Sequence, residues 1–314
     1  MAEISRLKGA RHPDIFRLPD HWRNELYENI EPNKDYTVKK IISVGGRSVF
    51  WNRPMIIDIL PASSNGIKIG INNDLHPADL KTVGNSKSSL KTGNVRVYEH
   101  TWAMALATGL KADFDLTEDS FPNFNGGIYE ILSEIHPHLK VVWDSKFITV
   151  QEPIGIIFDN WGYIIIEPDD GQHKVIMDHQ FSHKNALGIQ RTIINITPTN
   201  FAFLSSARPP AYGIRTIAAK ALCNNLNGFP LLWWLNKNNI VFVDSKKIIN
   251  GNPKFNDSKW VNREILMHEA AQDKPAPFKL LDGRFVGKVT TYRTNHAMDL
   301  EAVKIISKNL EYEK

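Results

Sequence analysis

Cysteine is nearly absent: the 314-residue chain has one, Cys223. That excludes an intramolecular disulfide and a cysteine-built zinc cluster. Long apolar runs are also missing. Those present, such as Phe229 to Leu235 and Ile240 to Val243, fall well short of the roughly 18 residues that span a bilayer. No basic block or arginine stripe stands out, and 38 Lys+Arg against 34 Asp+Glu is only mildly basic; a nucleic-acid partner is not expected. The opening MAEISRLKGARHPD carries charge and no apolar stretch, so no signal peptide is expected and the chain reads as cytoplasmic. Low-complexity segments, tandem repeats and a G-x-S-x-G nucleophile elbow are lacking too. What is present is an ordinary globular composition, 42% hydrophobic and 23% charged, long enough for two domains.

Residues 1–34 are polar, proline-dotted and weakly patterned, and read as an N-terminal arm with one short helix from His21. From Tyr36, β-branched runs separated by Gly, Asn and Ser predict strands over 37–44, 55–62, 66–72 and 94–98. EHTWAMALATGL carries Trp102, Leu106 and Leu110 at helical spacing, with Gly109 marking the end. A strand over 112–116, a loop SFPNFNGG and a helix IYEILSEI follow. The second half repeats this plan. Strands are expected over 146–151, 155–158, 163–167, 174–178, 240–244 and 287–293, and helices over 214–224, 260–272 and 297–310. Thr197 and Pro198 read as the N-cap and first residue of a further helix, TNFAFLSSAR. The predicted fold is α+β: two similar domains, 35–143 and 144–314, each a sheet with two helices, packed as a sandwich around a central cleft.

Three places carry the chemistry. Glu99-His100 stands at a strand-to-helix junction, where adjacent side chains point about 100° apart, so one can bind a metal while the other reaches bound water. His268 lies on a helix with Gln272 at i+4 and Asp273 at i+5, and a His and a carboxylate one turn apart converge on one cation. His296, in TNHAMD, follows a strand and opens a helix. Other features read more plainly. His179 and His183, in DHQFSH, continue a strand where four residues span roughly 13 Å, and are taken as structural or surface groups. His136 and His138 lie in a polar loop, Gly45-Gly46 is a turn, and Cys223 is a packed thiol. The apolar group Phe229, Leu231, Leu232, Trp233, Trp234 is either core or the wall of an acyl passage.

In order and context, these motifs resemble the UDP-3-O-acyl-N-acetylglucosamine deacetylase family, the zinc amidases of lipid A synthesis. VYEHTWAMALATGLKADFDLTEDSFPNFNGG is similar to the family's T-V-E-H, L-x-A-L-x-G-L-G and E-x-P-x-x-D-G-S runs, matching at Glu99, His100, Ala105, Leu106, Gly109, Leu110, Pro122 and Gly126. YRTNHAMD resembles Y-K-S-G-H-A-L-N, REILMHEAAQD resembles E-F-V-R-H-K-x-L-D, LSSAR resembles the start of S-R-A-R-T-F-G-F, and LPASSNGIKI resembles R-P-A-x-x-x-x-G-I-x-F. The resemblance runs from about Tyr36 to about Ile306. It implies a Zn2+ site with His100 and His268 as ligands, Glu99 as general base and His296 as acid. It also implies a small-molecule acylated substrate, with its acyl chain in an apolar passage.

The chain departs from the family pattern at defined positions. Ungapped from His268, the family's ligand Asp falls on Gln272, a poor zinc ligand. The interval from His268 to His296 is one residue longer than usual, and a π-bulge before 273 would bring Asp273 into register. The reading therefore favours Asp273, with Gln272 as the alternative. The family's oxyanion-side Thr reads as Pro209, its Lys after the second zinc His as Glu269, and the Asp behind the late His as Ala276 or Pro277. Two functions follow: a metal-dependent amidohydrolase cleaving an N-acyl group from an acylated amino sugar or related metabolite, or a catalytically inactive homologue that binds a ligand.

Overall fold

The computed structural model describes residues 14–19, 27, 29–48, 53–86, 89–96, 98–120, 122–123, 128–159, 161–182, 187–212, 240–243, 247–248, 250–255 and 263–312. The expected helices from His21 and over 214–224, Cys223, His183 and the apolar group at 229–235 lie outside them.

The fold is α+β. The first half builds a six-stranded mixed sheet in the order Pro122–Asn123, Ile42–Ser48, Pro54–Pro61, Ala112–Leu116, Lys68–Ile71, Asp74–Pro77. One pair in it is parallel, Ala112–Leu116 against Lys68–Ile71. The second half builds another six-stranded mixed sheet: Asp14–Ile15, Ile189–Ile196, Val175–Ser182, Gly287–Tyr292, Tyr163–Glu167, Ile154–Ile157. Asp14 and Ile15 pair in parallel with Thr192 and Ile193, and Tyr27 and Ile30 are buried, so part of the polar N-terminal stretch is built into the body of the protein. Strand Lys34–Val38 does not join the first sheet but pairs with Leu139–Asp144.

Helix α1 (Glu99–Thr108) is buried on every face, and His100 alone among its ten residues is not buried. Such a helix is interior rather than amphipathic. It ends at Gly109 in the left-handed conformation, φ 72°. A Cβ there would lie 2.5 Å from the Lys34 carbonyl oxygen and 2.9 Å from the Arg284 guanidinium, so glycine is required both by φ and by space. Helix α2 (Tyr129–Ile135) covers the first sheet's face with Ile131, Leu132 and Ile135. Helix α3 (Pro198–Leu204) starts as the sequence predicts, with the Thr197 side chain accepting the Asn200 amide at 3.2 Å. Helices α4 (Glu264–His268) and α5 (His296–Ile306) follow, the latter capped by Asn295, which accepts the Met298 amide. One continuous apolar core joins residues of both halves, from Tyr27 through Trp102, Phe114, Phe201 and Phe285 to Ile306. Among the described residues no helix is long and apolar enough to cross a membrane.

Several expectations needed correction. The strand expected over 37–44 is two, broken at an exposed turn of Lys39, Lys40 and Ile41, because its halves serve different sheets. Strands at Leu139–Asp144 and Ile189–Ile196 were not anticipated. In its described part the helix expected over 260–272 is α-helical only as far as His268 and continues as a π-turn, Glu269–Asp273.

Candidate metal centre

The π-turn shapes this site. Its signature is the Lys274 amide, which donates to the Glu269 carbonyl five residues back at 2.9 Å. The wider turn inserts one residue between His268 and the face His268 occupies. Gln272 consequently points away, its buried amide donating to the carbonyls of Leu204 at 2.8 Å and Ala207 at 2.9 Å. Asp273 takes the position facing His268 and α1.

His100, on the first turn of α1, meets it there. His100 Nε2 lies 3.1 Å from Asp273 Oδ1, and His268 Nδ1 lies 3.4 Å from Asp273 Oδ2. The two imidazoles stand edge to face with centroids 4.7 Å apart. One donor atom from each of His100, His268 and Asp273 lies within 4.8 Å of the other two. His268 is 1% exposed; its Nε2 has no hydrogen-bond partner among the described residues, and its Nδ1 faces Asp273 Oδ2 at 3.4 Å. A buried imidazole in that state loses its hydration without replacement, which costs about 1–3 kcal/mol unless something else binds it. Two imidazoles and one carboxylate with an unsatisfied buried nitrogen fit a divalent cation held by three protein ligands.

The electrostatics agree. Burial works against charge on His100, but the hydrogen bond and charge of Asp273, with Glu99 behind, outweigh it and raise its pKa. Burial likewise favours neutral Asp273, yet His268, His100 and His296 together hold its carboxyl well below the usual range. The acid is therefore ionised, as a metal ligand must be.

Glu99 is buried beside His100 and accepts the Leu90 amide at 3.4 Å through Oε2. His296 opens α5 and is close enough for its charge to act on Asp273; its Nδ1 is buried without a partner. The structure thus brings His100, His268, Asp273, Glu99 and His296 into one region, and leaves Gln272 out of it.

Two buried networks support the site that the sequence did not reveal. His179, read from the sequence as a structural or surface group, is buried and bridges Thr291 Oγ1 at 2.7 Å and Glu269 Oε2 at 3.0 Å. Burial disfavours the Glu269 charge, but His179 and Lys274 outweigh it and lower its pKa. Lys274 is buried and donates to the Thr294 carbonyl at 3.0 Å and Asp299 Oδ2 at 3.1 Å, tying the end of the π-turn to the segment before His296. The strand carrying His179 is buried on both faces, so alternation gives no signal there, and nothing in sequence marks Lys274 as interior. Pro209, which has no N–H to offer, follows Arg208, whose guanidinium clasps the buried Glu264 at 2.6 and 2.9 Å.

Residues 35–308 match the family model described as UDP-3-O-acyl N-acetylglycosamine deacetylase. A search of curated proteins gave no match.

Proposed function

Because the chain belongs to the UDP-3-O-acyl N-acetylglycosamine deacetylase family, we propose that it is a zinc-dependent amidohydrolase that removes an N-acyl group from an acylated amino sugar or related small molecule. Deacetylase chemistry comes with the family; zinc, the residue roles and the substrate are our reading. The observation that carries it is the convergence of His100, His268 and Asp273 donor atoms within 4.8 Å, with Nε2 of buried His268 unpartnered among the described residues.

In this reading His100, His268 and Asp273 hold the ion. A zinc ion held there supplies Lewis acidity, polarising the scissile carbonyl and acidifying water. Glu99, adjacent in sequence to a ligand but not among the converging atoms, takes the proton from the attacking water. The Leu90 amide fixes one of its oxygens, which orients the carboxylate. His296 delivers a proton to the departing nitrogen and, while protonated, favours negative charge on the carbonyl oxygen. Asn295 caps α5 and Lys274 holds the Thr294 carbonyl, and these contacts set where the His296 ring stands. The ionised Glu269, fixed by His179 and next to His268 in sequence, adds negative charge beside the ligand set and disfavours an anionic group there.

The test is release of carboxylate and free amine from N-acylated amino sugars, followed with an amine-reactive reagent. Activity that disappears with a chelator and returns with zinc supports the reading. Turnover unaffected by complete metal removal contradicts it.

A further inference from the structure

Three buried polar atoms with no partner among the described residues fall within residues 294–299: Thr294 Oγ1, His296 Nδ1 and Asp299 Oδ1. Buried polar groups are nearly always bonded to protein or to ordered water, so three together call for a common explanation. The stretch is firmly placed. Asn295 caps α5, and the Asp299 amide donates to the Asn295 carbonyl at 2.9 Å, so the opening turn of the helix is regular. His296 and Asp299 stand three residues apart on that turn, which puts them on one face with Cβ atoms about 5–6 Å apart. Lys274 Nζ lies 3.0 Å from the Thr294 carbonyl oxygen and 3.1 Å from Asp299 Oδ2, so a single ammonium holds both ends of the stretch together.

The three atoms are chemically complementary. The imidazole Nδ1–H donates, the carboxylate Oδ1 accepts and the hydroxyl does either. Asp299 is 2% exposed and uses Oδ2 for Lys274, which leaves Oδ1 for one further donor. His296 Nδ1 and Asp299 Oδ1 do not bond each other, since each is unpartnered. One water between them gains the ring and the carboxylate as partners and the Thr294 hydroxyl as a third. About three hydrogen bonds are usual for a buried water.

We propose that Asp299 is a positioning residue for His296, holding the imidazole through one buried water that accepts from Nδ1–H and donates to Asp299 Oδ1 and Thr294 Oγ1. This role rests on the reading of His296 as the acid. Its consequence is where the proton moves. With Nδ1–H held by the bridge, Nε2 is the exchanging nitrogen. The N–H bond at Nε2 breaks, its proton goes to the departing amine nitrogen, and the neutral Nδ1–H tautomer remains. Lys274 directly follows the ligand Asp273, so the turn that carries the ligands and the helix that carries the acid are joined through the Lys274 and Asp299 side chains.

Long-range proton–nitrogen NMR of the full, zinc-loaded chain, taken where His296 is neutral, reads which ring nitrogen carries the proton. Nδ1 is expected in the wild type, and this reading needs no variant. In Asp299→Asn the Lys274 ammonium keeps the amide oxygen, so the amide nitrogen faces the bridge as a donor and the His296 proton should move to Nε2. The same variant should keep its zinc and lose about 10²-fold or more in kcat with KM little changed. Thr294→Val removes only the third bond to the water, and should keep Nδ1–H with a smaller loss in kcat. A wild-type proton on Nε2, an unchanged tautomer in folded Asp299→Asn, or a switched tautomer with undiminished kcat would each overturn the proposal. A tautomer switch in a protein with no amidase activity at all would support the Asp299–His296 link and contradict the reading of His296 as the acid.

Discussion

Adjacent residues in the π-turn should give opposite phenotypes. Gln272 and Asp273 differ by one position, yet one faces away into the body of the protein and the other faces the two histidines. Gln272→Ala removes a buried amide that satisfies two carbonyls, those of Leu204 and Ala207. The Leu204 carbonyl keeps the Ala207 amide at 2.9 Å, so the Ala207 carbonyl is the acceptor that loses its partner, at a cost of about 1–3 kcal/mol of folding stability. Zinc affinity should hardly change, because the Gln272 side chain offers nothing to the ligand cluster. Asp273→Asn keeps the shape but removes the one anionic ligand. Its loss of zinc affinity should exceed the roughly 10–100-fold typical of groups that only support a ligand. The stability of its metal-free form should fall less than that of Gln272→Ala. Urea unfolding of the metal-free proteins, paired with zinc titration against a chromophoric chelator, reads both quantities. If Gln272→Ala lost zinc while Asp273→Asn kept it, the turn would be a regular α-helix in solution and the register argued here would be wrong.

Glu99→Gln should keep the metal and lose most of the deacetylase rate, and His296→Ala should keep the metal and flatten the basic limb of the pH–rate profile. Full activity in Glu99→Gln would remove the general-base assignment. Turnover of UDP-3-O-acyl-N-acetylglucosamine should be poor, because loss of one oxyanion donor costs ~10²–10³ in rate and Pro209 has no N–H. Glu269→Lys should improve handling of that anionic substrate, and steady-state kinetics on the two proteins decides it. Burial lowers the Lys254 pKa from 10.5 to about 8, against the pull of Glu264. Below about pH 8 both folded and unfolded chains are protonated and the burial penalty is fully present. Between about 8 and 10.5 the unfolded chain binds a proton that the folded chain lacks, so stability rises with pH, by less than the ~3 kcal/mol of the full shift because solvent screens the partly exposed ammonium. Comparing unfolding at pH 7.5 and 10 should show this increment in wild type and not in Lys254→Met.

The site was legible where local rules suffice. A buried helix ended by glycine, with Glu99-His100 at its start, announces itself through its own residues. So does the Thr197 cap, which needs only a side-chain oxygen and the next turn. The irregular turn at 269–273 was accessible only indirectly, through one extra residue between His268 and His296 and the prolines at 275 and 277. Long-range pairing was not legible. Strand Ile189–Ile196 alternates regularly but follows a long strand, and its partners Val175–Ser182 and Asp14–Ile15 come from opposite ends of the first two hundred residues. Leu139–Asp144 was passed over as a domain junction; it is a strand because Lys34–Val38 is there to pair with it. His179 could not be recognised as a support for Glu269, because the 90 residues between them in sequence carry no record of a 3.0 Å contact.

The most direct measurement is the metal content of the protein purified without chelator, by mass spectrometry, with His268→Ala measured beside it. About one zinc ion per chain in the wild type, and none retained in a folded His268→Ala, is the result expected from a buried imidazole that converges with His100 and Asp273 on one point. A wild-type protein that is metal-free as purified and fails to take up added zinc would contradict the account at its centre.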